Sequence, residues 1–115
     1  MFRFETLDIW KLAIEFCNKI YKIVPEFPKE IQYTLGSQLR EAALSISNNI
    51  AEGSGSSSKQ EFKSFLNYSI RSVYETVSIL FIARDNKYLK VDQFKEFYDS
   101  AEVLVKKIRA FRNKL

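Results

Sequence analysis

The side chains able to do chemistry are few, and their spacing favours structure over catalysis. There is no histidine, so the commonest general base and the commonest metal ligand are both missing. Paired Glu-x-x-His motifs of a di-metal helical bundle cannot be written without it. The one cysteine, Cys17, repeats in helical phase with Trp10, Ile14 and Tyr21. That position suits an apolar packing residue rather than a nucleophile, and one thiol with carboxylates would make an atypical zinc site. Glu52 and Glu75 lie beside apolar seams, and two facing carboxylates push their pKa values apart in acid-base sites. No nucleophile, metal set or oxyanion donor accompanies them, however. With Asn49 and Ser72 at three-residue spacings from them, they fit better as polar groups that bond across helices and fix register. No catalytic residue, metal, cofactor or small-molecule substrate is expected, and the chain reads as a non-enzyme.

Anion-directed chemistry is the sharper possibility. Gly53-Ser-Gly55-Ser-Ser-Ser58-Lys59 superficially resembles a phosphate loop, but the order G-x-x-x-x-G-K-[ST] is absent and a helical pattern precedes it instead of a strand. A helix-to-helix connector is the plainer reading, with Lys59 and the free N–H groups behind it as a weak anion site. Lys106, Lys107, Arg109, Arg112 and Lys114 bring five positive charges and no acidic residue to the chain's last turns. The helix macrodipole favours cations there, so a solvated, dipole-matched end is the plain reading and a contact with RNA or DNA the functional one. The net charge of +4, from 18 basic and 14 acidic residues, tolerates such a partner without requiring it.

These residues must be positioned by helices. At 115 residues, with 46% apolar and 28% charged side chains but three Gly and two Pro, the chain suits one domain made of a few long elements. Leu7, Trp10, Ile14, Cys17, Tyr21 and Val24 alternate at spacings of three and four, which predicts a helix from an N-cap at Thr6 to Val24 with this stripe in the core. A second stripe, Ile9, Ala13, Phe16, Ile20 and Ile23, repeats beside it; it is expected to meet another subunit, the alternative being a wide buried face within one bundle. Pro28 suits the start of a second helix, whose stripe is Ile31, Leu35, Leu39, Ala42, Ile46 and Ile50 and which ends in Gly53-Ser-Gly55-Ser-Ser-Ser58, where glycine suits a left-handed cap and the serines a loop. Ser58-Lys-Gln-Glu61 fits a capping box opening a third helix. Its seam is Phe62, Leu66, Ser69, Val73, Val77, Leu80 and Arg84, and Phe65, Ile70, Tyr74, Phe81 and Ile82 widen it. Asp92 is the expected cap of a fourth, with seam Phe94, Phe97, Ala101, Leu104, Ile108 and Phe111. Short connections make successive helices antiparallel neighbours. No apolar run reaches the roughly 20 residues of a membrane span. A single unpaired Cys and no signal-like start point to the cytoplasm.

The order of motifs resembles the 23S rRNA-intervening-sequence protein family. Leu7-Asp-Ile-Trp10, Phe27-Pro-Lys-Glu30, Gln38-Leu-Arg40 with Ala42-Ala43, Ser45-Ile46 and above all Asn49-Ile50-Ala51-Glu52-Gly53 carry the resemblance. Lys59, Glu61-Phe62, Phe65-Leu66, Ser72 with Glu75, Ala83-Arg84 and Tyr88-Leu89 continue it along nearly the whole chain. The resemblance implies a bacterial four-helix bundle, often a homopentamer. A related group, the accessory variability proteins of diversity-generating retroelements, is associated with nucleic acid. Ser47 stands where the family commonly has proline, and serines follow Gly53 where it often has basic residues.

The expected architecture is thus all-α: an antiparallel up-down-up-down four-helix bundle over residues 1–115 that assembles into a ring-shaped, pentameric oligomer. Ile9, Phe16, Ile20, Ile23, Tyr74 and Phe81 are the expected subunit contacts. Structured RNA or DNA is the expected second partner, through Lys106, Lys107, Arg109, Arg112, Lys114 and Lys59. Residues Asn49 to Gly53, with Ser72 and Glu75, are expected to be structural. The competing reading is a protein-binding adaptor whose grooves receive a partner helix without contacting nucleic acid.

Overall fold

A computed structural model describes all 115 residues. Four helices account for most of the chain: α1 (Asp8–Ile23), α2 (Leu35–Ser54), α3 (Lys59–Asp85) and α4 (Val91–Asn113), with short 3-10 turns at Arg3–Thr6, Val24–Glu26 and Lys29–Ile31. α1 packs on α2, α2 on α3, α3 on α4, and α4 returns to α1, which closes an up-down-up-down bundle. Its extents are 43 × 23 × 21 Å. The long dimension matches α3, whose 27 residues span about 40 Å at 1.5 Å per residue. No helix is long and apolar enough to cross a membrane.

The helix ends follow local chemistry where a cap exists. Ser58 Oγ accepts from the Glu61 N–H at 3.1 Å, as the capping box predicts. Other ends depart from expectation. Thr6 does not cap α1; its hydroxyl donates back to the Arg3 carbonyl at 2.9 Å inside the preceding 3-10 turn. α2 starts at Leu35 rather than Pro28, because the intervening residues form a closed turn. Gln32 Nε2 donates to the carbonyls of Pro25 at 3.1 Å and Phe27 at 2.9 Å, pinning that turn. Asp92 lies within the first turn of α4, and the N-cap is Lys90, whose N–H donates to Gln93 Oε1 at 3.0 Å. α2 runs unbroken through Ser47, whose hydroxyl donates to the Leu44 carbonyl at 3.1 Å.

The largest correction concerns α1. Ile9, Phe16, Ile20 and Ile23, expected at a subunit contact, are buried in the chain's own core with Ala13. Phe16 meets the Phe97 ring edge-on at 5.9 Å between centroids. The first stripe is divided: Cys17 and Val24 are buried in the core and Leu7 and Trp10 pack against it, while Tyr21 is 44% exposed; Trp10, Ile14 and Tyr21 line the groove between α1 and α2. The physical reason lies in side-chain type. Ala13 lets α1 approach its neighbours closely, and the isoleucines have no polar atom to satisfy. Trp and Tyr carry a polar tip that favours the boundary with water. Cys17 is buried with the isoleucine stripe, and burial pushes its thiol above the ordinary value.

Candidate nucleic-acid interface

The antiparallel pair α2 and α3 holds the Asn49–Gly53 segment, and its register is fixed by two cross-helix bonds. Ser72 Oγ donates to Ser45 Oγ at 3.0 Å, and Ser69 Oγ donates to the Ile46 carbonyl at 2.8 Å in the core. Asn49 Nδ2 donates to both the carbonyl (2.8 Å) and the hydroxyl (3.0 Å) of Ser45, joining the cross-helix bond from its own helix. Gly53 lies tight against α3: a Cβ there would sit 2.7 Å from Phe65 Cβ and 2.8 Å from Phe62 Cδ1. Gly53 is therefore a packing residue inside α2. α2 does end in the expected segment, at Ser54 with Gly55 as its C-cap, but the cap is not left-handed, since no glycine has positive φ. Ile50 is fully buried beside it and Ala51 borders the α1/α2 groove.

Glu52 and Glu75 do not join this network. Both are exposed, and the register set by Ser72 on Ser45 puts Glu75 opposite residue 42, ten residues from Glu52 along α2. At 1.5 Å per residue that is about 15 Å of axial separation, too far for two carboxylates to share a proton. No group of three or more His, Cys, Asp or Glu side chains converges on a metal geometry.

The basic residues gather at one pole. Phe62 at the start of α3 packs on Phe111 near the end of α4 (5.6 Å between centroids), and the Arg3 guanidinium lies over the Phe62 ring at 5.0 Å. Lys59, one helical turn before Phe62, is thus at the same end of the bundle as Arg109, Arg112 and Lys114. The five cations of α4 divide between two faces. Arg112 donates to Asn67 Oδ1 at 2.6 Å and Arg109 to Tyr74 Oη at 3.3 Å, while Lys106 and Arg109 both border the groove between α3 and α4. Lys107 and Lys114, seven residues apart, share a stripe with Val103, which borders the α1/α4 groove. Arg71 falls between Asn67 and Tyr74 on α3 at helical spacing, so it extends the α3/α4 row. Neither Arg71 nor Arg3 was among the residues expected here; the spacing of Asn67, Arg71 and Tyr74 was the signal for the former.

The row is electrostatically open. Two ion pairs are formed in the chain, Arg84 with Asp85 at 3.0 Å and Lys95 with Asp99 at 3.1 Å, and neither engages the basic pole. Arg109 and Arg112 bond to the neutral oxygens of Tyr74 and Asn67, and neither they nor Lys106 form an ion pair with a carboxylate. Of the other two expected subunit contacts, Tyr74 is 59% exposed and bound to Arg109. Phe81 is largely engaged within the chain, against Phe94 (4.8 Å), Tyr98 (6.1 Å) and the Arg84 guanidinium (4.8 Å).

Four closed antiparallel helices, a serine–asparagine clamp joining α2 to α3 and a cationic row on α3 and α4 without ion-pair partners define an all-α bundle protein. The family model for 23S rRNA-intervening sequence protein matches residues 5–110, and the chain belongs to that family. No curated protein matches the chain.

Proposed function

We propose that this chain is a non-enzymatic homo-oligomer, a pentameric ring by family resemblance, that binds structured RNA or DNA in the bacterial cytoplasm. The observation that carries the nucleic-acid reading is the row Lys106, Arg109 and Arg112, extended by Arg71 and without carboxylate partners. Lys59 and Lys114 enlarge the same pole. Joining several copies multiplies a modest patch through effective concentration.

Burial of the second α1 stripe within the protomer changes where a subunit contact belongs. The half-buried Trp10 and Ile14 and the exposed Tyr21 of α1, with the exposed Leu44 of α2, line a groove of about 280 Å³ whose lining holds no charged residue. That face suits a second copy and leaves the α3/α4 row to the polyanion. An adaptor that receives a partner's helix is the second reading, favoured by the same groove.

Light scattering tests the oligomer: a monomer at micromolar concentration refutes it. Filter binding of a structured RNA across a salt series tests the polyanion. Charge reversal at Lys106, Arg109 and Arg112 is expected to weaken binding and to flatten the salt dependence by roughly 0.7–0.9 slope units per lost phosphate contact. Reversal at Lys107 alone is expected to do less. Binding that ignores all of these charges refutes the reading, and salt-insensitive capture of a single protein would favour the adaptor.

A further inference from the structure

We infer that the groove between α3 and α4 is a pocket for an unpaired base of single-stranded RNA or DNA, an inference that rests on the cationic row just described. The groove measures about 290 Å³, the lower end of the range for small-molecule clefts, roughly 300 Å³. Its walls are Val73, Val77 and Val105 with the rings of Tyr74 and Tyr98, and Lys106 and Arg109 stand at its rim. Tyr74 is 59% exposed, and its hydroxyl accepts from Arg109 at 3.3 Å, which holds the ring beside the cation rather than folded into the core. Tyr98 is braced by Phe81 and Phe94 at 6.1 and 5.8 Å between centroids.

The combination discriminates among ligands. Phosphates alone would use the cations and leave an aromatic, apolar floor in water. A duplex keeps its base faces inside the stack, where no side chain reaches them. A single strand offers both chemistries at once: a planar apolar face for the tyrosines and flanking phosphates for Lys106, Arg109 and Arg112, which span about 9 Å along α4. The other two large grooves lack this pairing. The α1/α4 groove, about 260 Å³, carries Glu15 and Asp99 against Lys19, and the α1/α2 groove has no cation. Glu102 is the single carboxylate on the α3/α4 groove, one turn from Lys106.

The test is fluorescence anisotropy with three labelled probes of equal length, about a dozen nucleotides: an oligoadenylate RNA, its DNA counterpart and a base-free deoxyribose-phosphate chain. Stacking on an aromatic side chain is expected to make a base-bearing probe bind at least about five-fold tighter than the base-free one. Tyr74→Ala is expected to remove that advantage and leave base-free binding unchanged, whereas Tyr74→Phe retains it. Whichever of the RNA and DNA probes shows the loss is the ligand. Equal binding of base-bearing and base-free probes, or a Tyr74→Ala effect shared by both, overturns the pocket and leaves the cationic row standing. No binding of any probe or of structured RNA overturns both. A fall in oligomer mass by light scattering on Tyr74→Ala also overturns the pocket, because the groove is then covered by a second copy. Charge reversal at Lys106 and Arg109 weakens all probes alike and so tests the row separately.

Discussion

Substituting Gly53 with alanine sets two opposed effects against each other. Inside a helix, Gly→Ala gains about 1 kcal/mol from reduced backbone entropy in the unfolded chain. Position 53 lies within α2, with ordinary φ, so that gain applies in full. Against it stands the approach of α3. The new Cβ would lie 2.7 Å from Phe65 Cβ, 2.8 Å from Phe62 Cδ1 and 3.2 Å from its Cε1. A ring can rotate away, but Phe65 Cβ is fixed to the α3 backbone, so the helices themselves must separate by nearly 1 Å to restore normal contact. That displacement strains the Ser72–Ser45 and Ser69–Ile46 bonds, at 3.0 and 2.8 Å, which tie the same pair together. Overpacking of this kind costs about 1–3 kcal/mol, and with fixed backbone atoms the upper half of that range applies. The expected net destabilisation is about 1–2 kcal/mol. Urea unfolding followed by circular dichroism, at one fixed protomer concentration because assembly is linked to stability, should show the midpoint fall by roughly 0.5–1 M. Gly55→Ala is the internal control, since its Cβ would meet only the Glu52 carbonyl oxygen at 3.5 Å, and its midpoint should not fall. A Gly53→Ala midpoint at or above that of the parent refutes the close-packing argument.

Three further outcomes follow from the same geometry. Ile20→Ala should cost about 2–5 kcal/mol of stability, because Ile20 is fully buried in the protomer; a variant of unchanged protomer stability but lower oligomer mass would instead put Ile20 at a subunit contact. Ser72→Ala should cost about 0.5–1.5 kcal/mol, and a double-mutant cycle with Ser45→Ala should return most of that as coupling; independent, additive losses would refute the clamp. Burial raises the Cys17 thiol pKa above 9.0, so above about pH 9 the unfolded chain loses a proton that the folded chain keeps, and stability falls as pH rises. Below that pH the group contributes no slope. The difference in unfolding free energy between the parent and Cys17→Ala should therefore narrow as pH is raised, and a constant difference refutes it.

How legible each feature was depended on whether its cause is local. The start of α3 was readable because Ser58 and the Glu61 N–H are three residues apart and settle their bond between themselves. The start of α2 was not, because Pro28 is a competent helix opener and only the long reach of Gln32 to Pro25 and Phe27 shows that the chain turns first. Gly53 had the composition of a helix stop, a glycine before a serine-rich run, yet its role is set by Phe62 and Phe65 of a different helix. The basic residues of α4 were visible as a cluster. Helical phase separates Lys106, Arg109 and Arg112 from Lys107 and Lys114, but only the packing shows that the first group faces Asn67 and Tyr74 of α3.

The two stripes of α1 carry the most consequence for function. Both satisfy the same periodicity, so spacing could not rank them, and their compositions had to. One stripe is Ile, Ala and Phe; the other mixes Leu7, Ile14, Cys17 and Val24 with Trp10 and Tyr21. A closed four-helix core takes the side chains that need no hydrogen bond and allow close approach, which leaves the amphipathic rings outside. What α1 leaves accessible outside the core is therefore Tyr21, with the half-buried Trp10 and Ile14 beside it, while Cys17 and Val24 of the same stripe are buried. The faces then divide by chemistry. The α1/α2 groove, without a charged lining residue, can exclude water against another protein surface at little electrostatic cost. The α3/α4 face, with Lys106, Arg109 and Arg112 free of carboxylate partners, would have to desolvate those charges if a second copy covered it. Assembly through α1 and α2 and polyanion binding through α3 and α4 are thus compatible in one molecule. A Tyr21→Glu, Leu44→Glu variant should break the oligomer while its protomers stay folded. It should still bind RNA, with an affinity reduced only by the loss of multivalency. Complete loss of binding by those folded protomers would show that the nucleic-acid surface spans the subunit boundary and not the α3/α4 face alone.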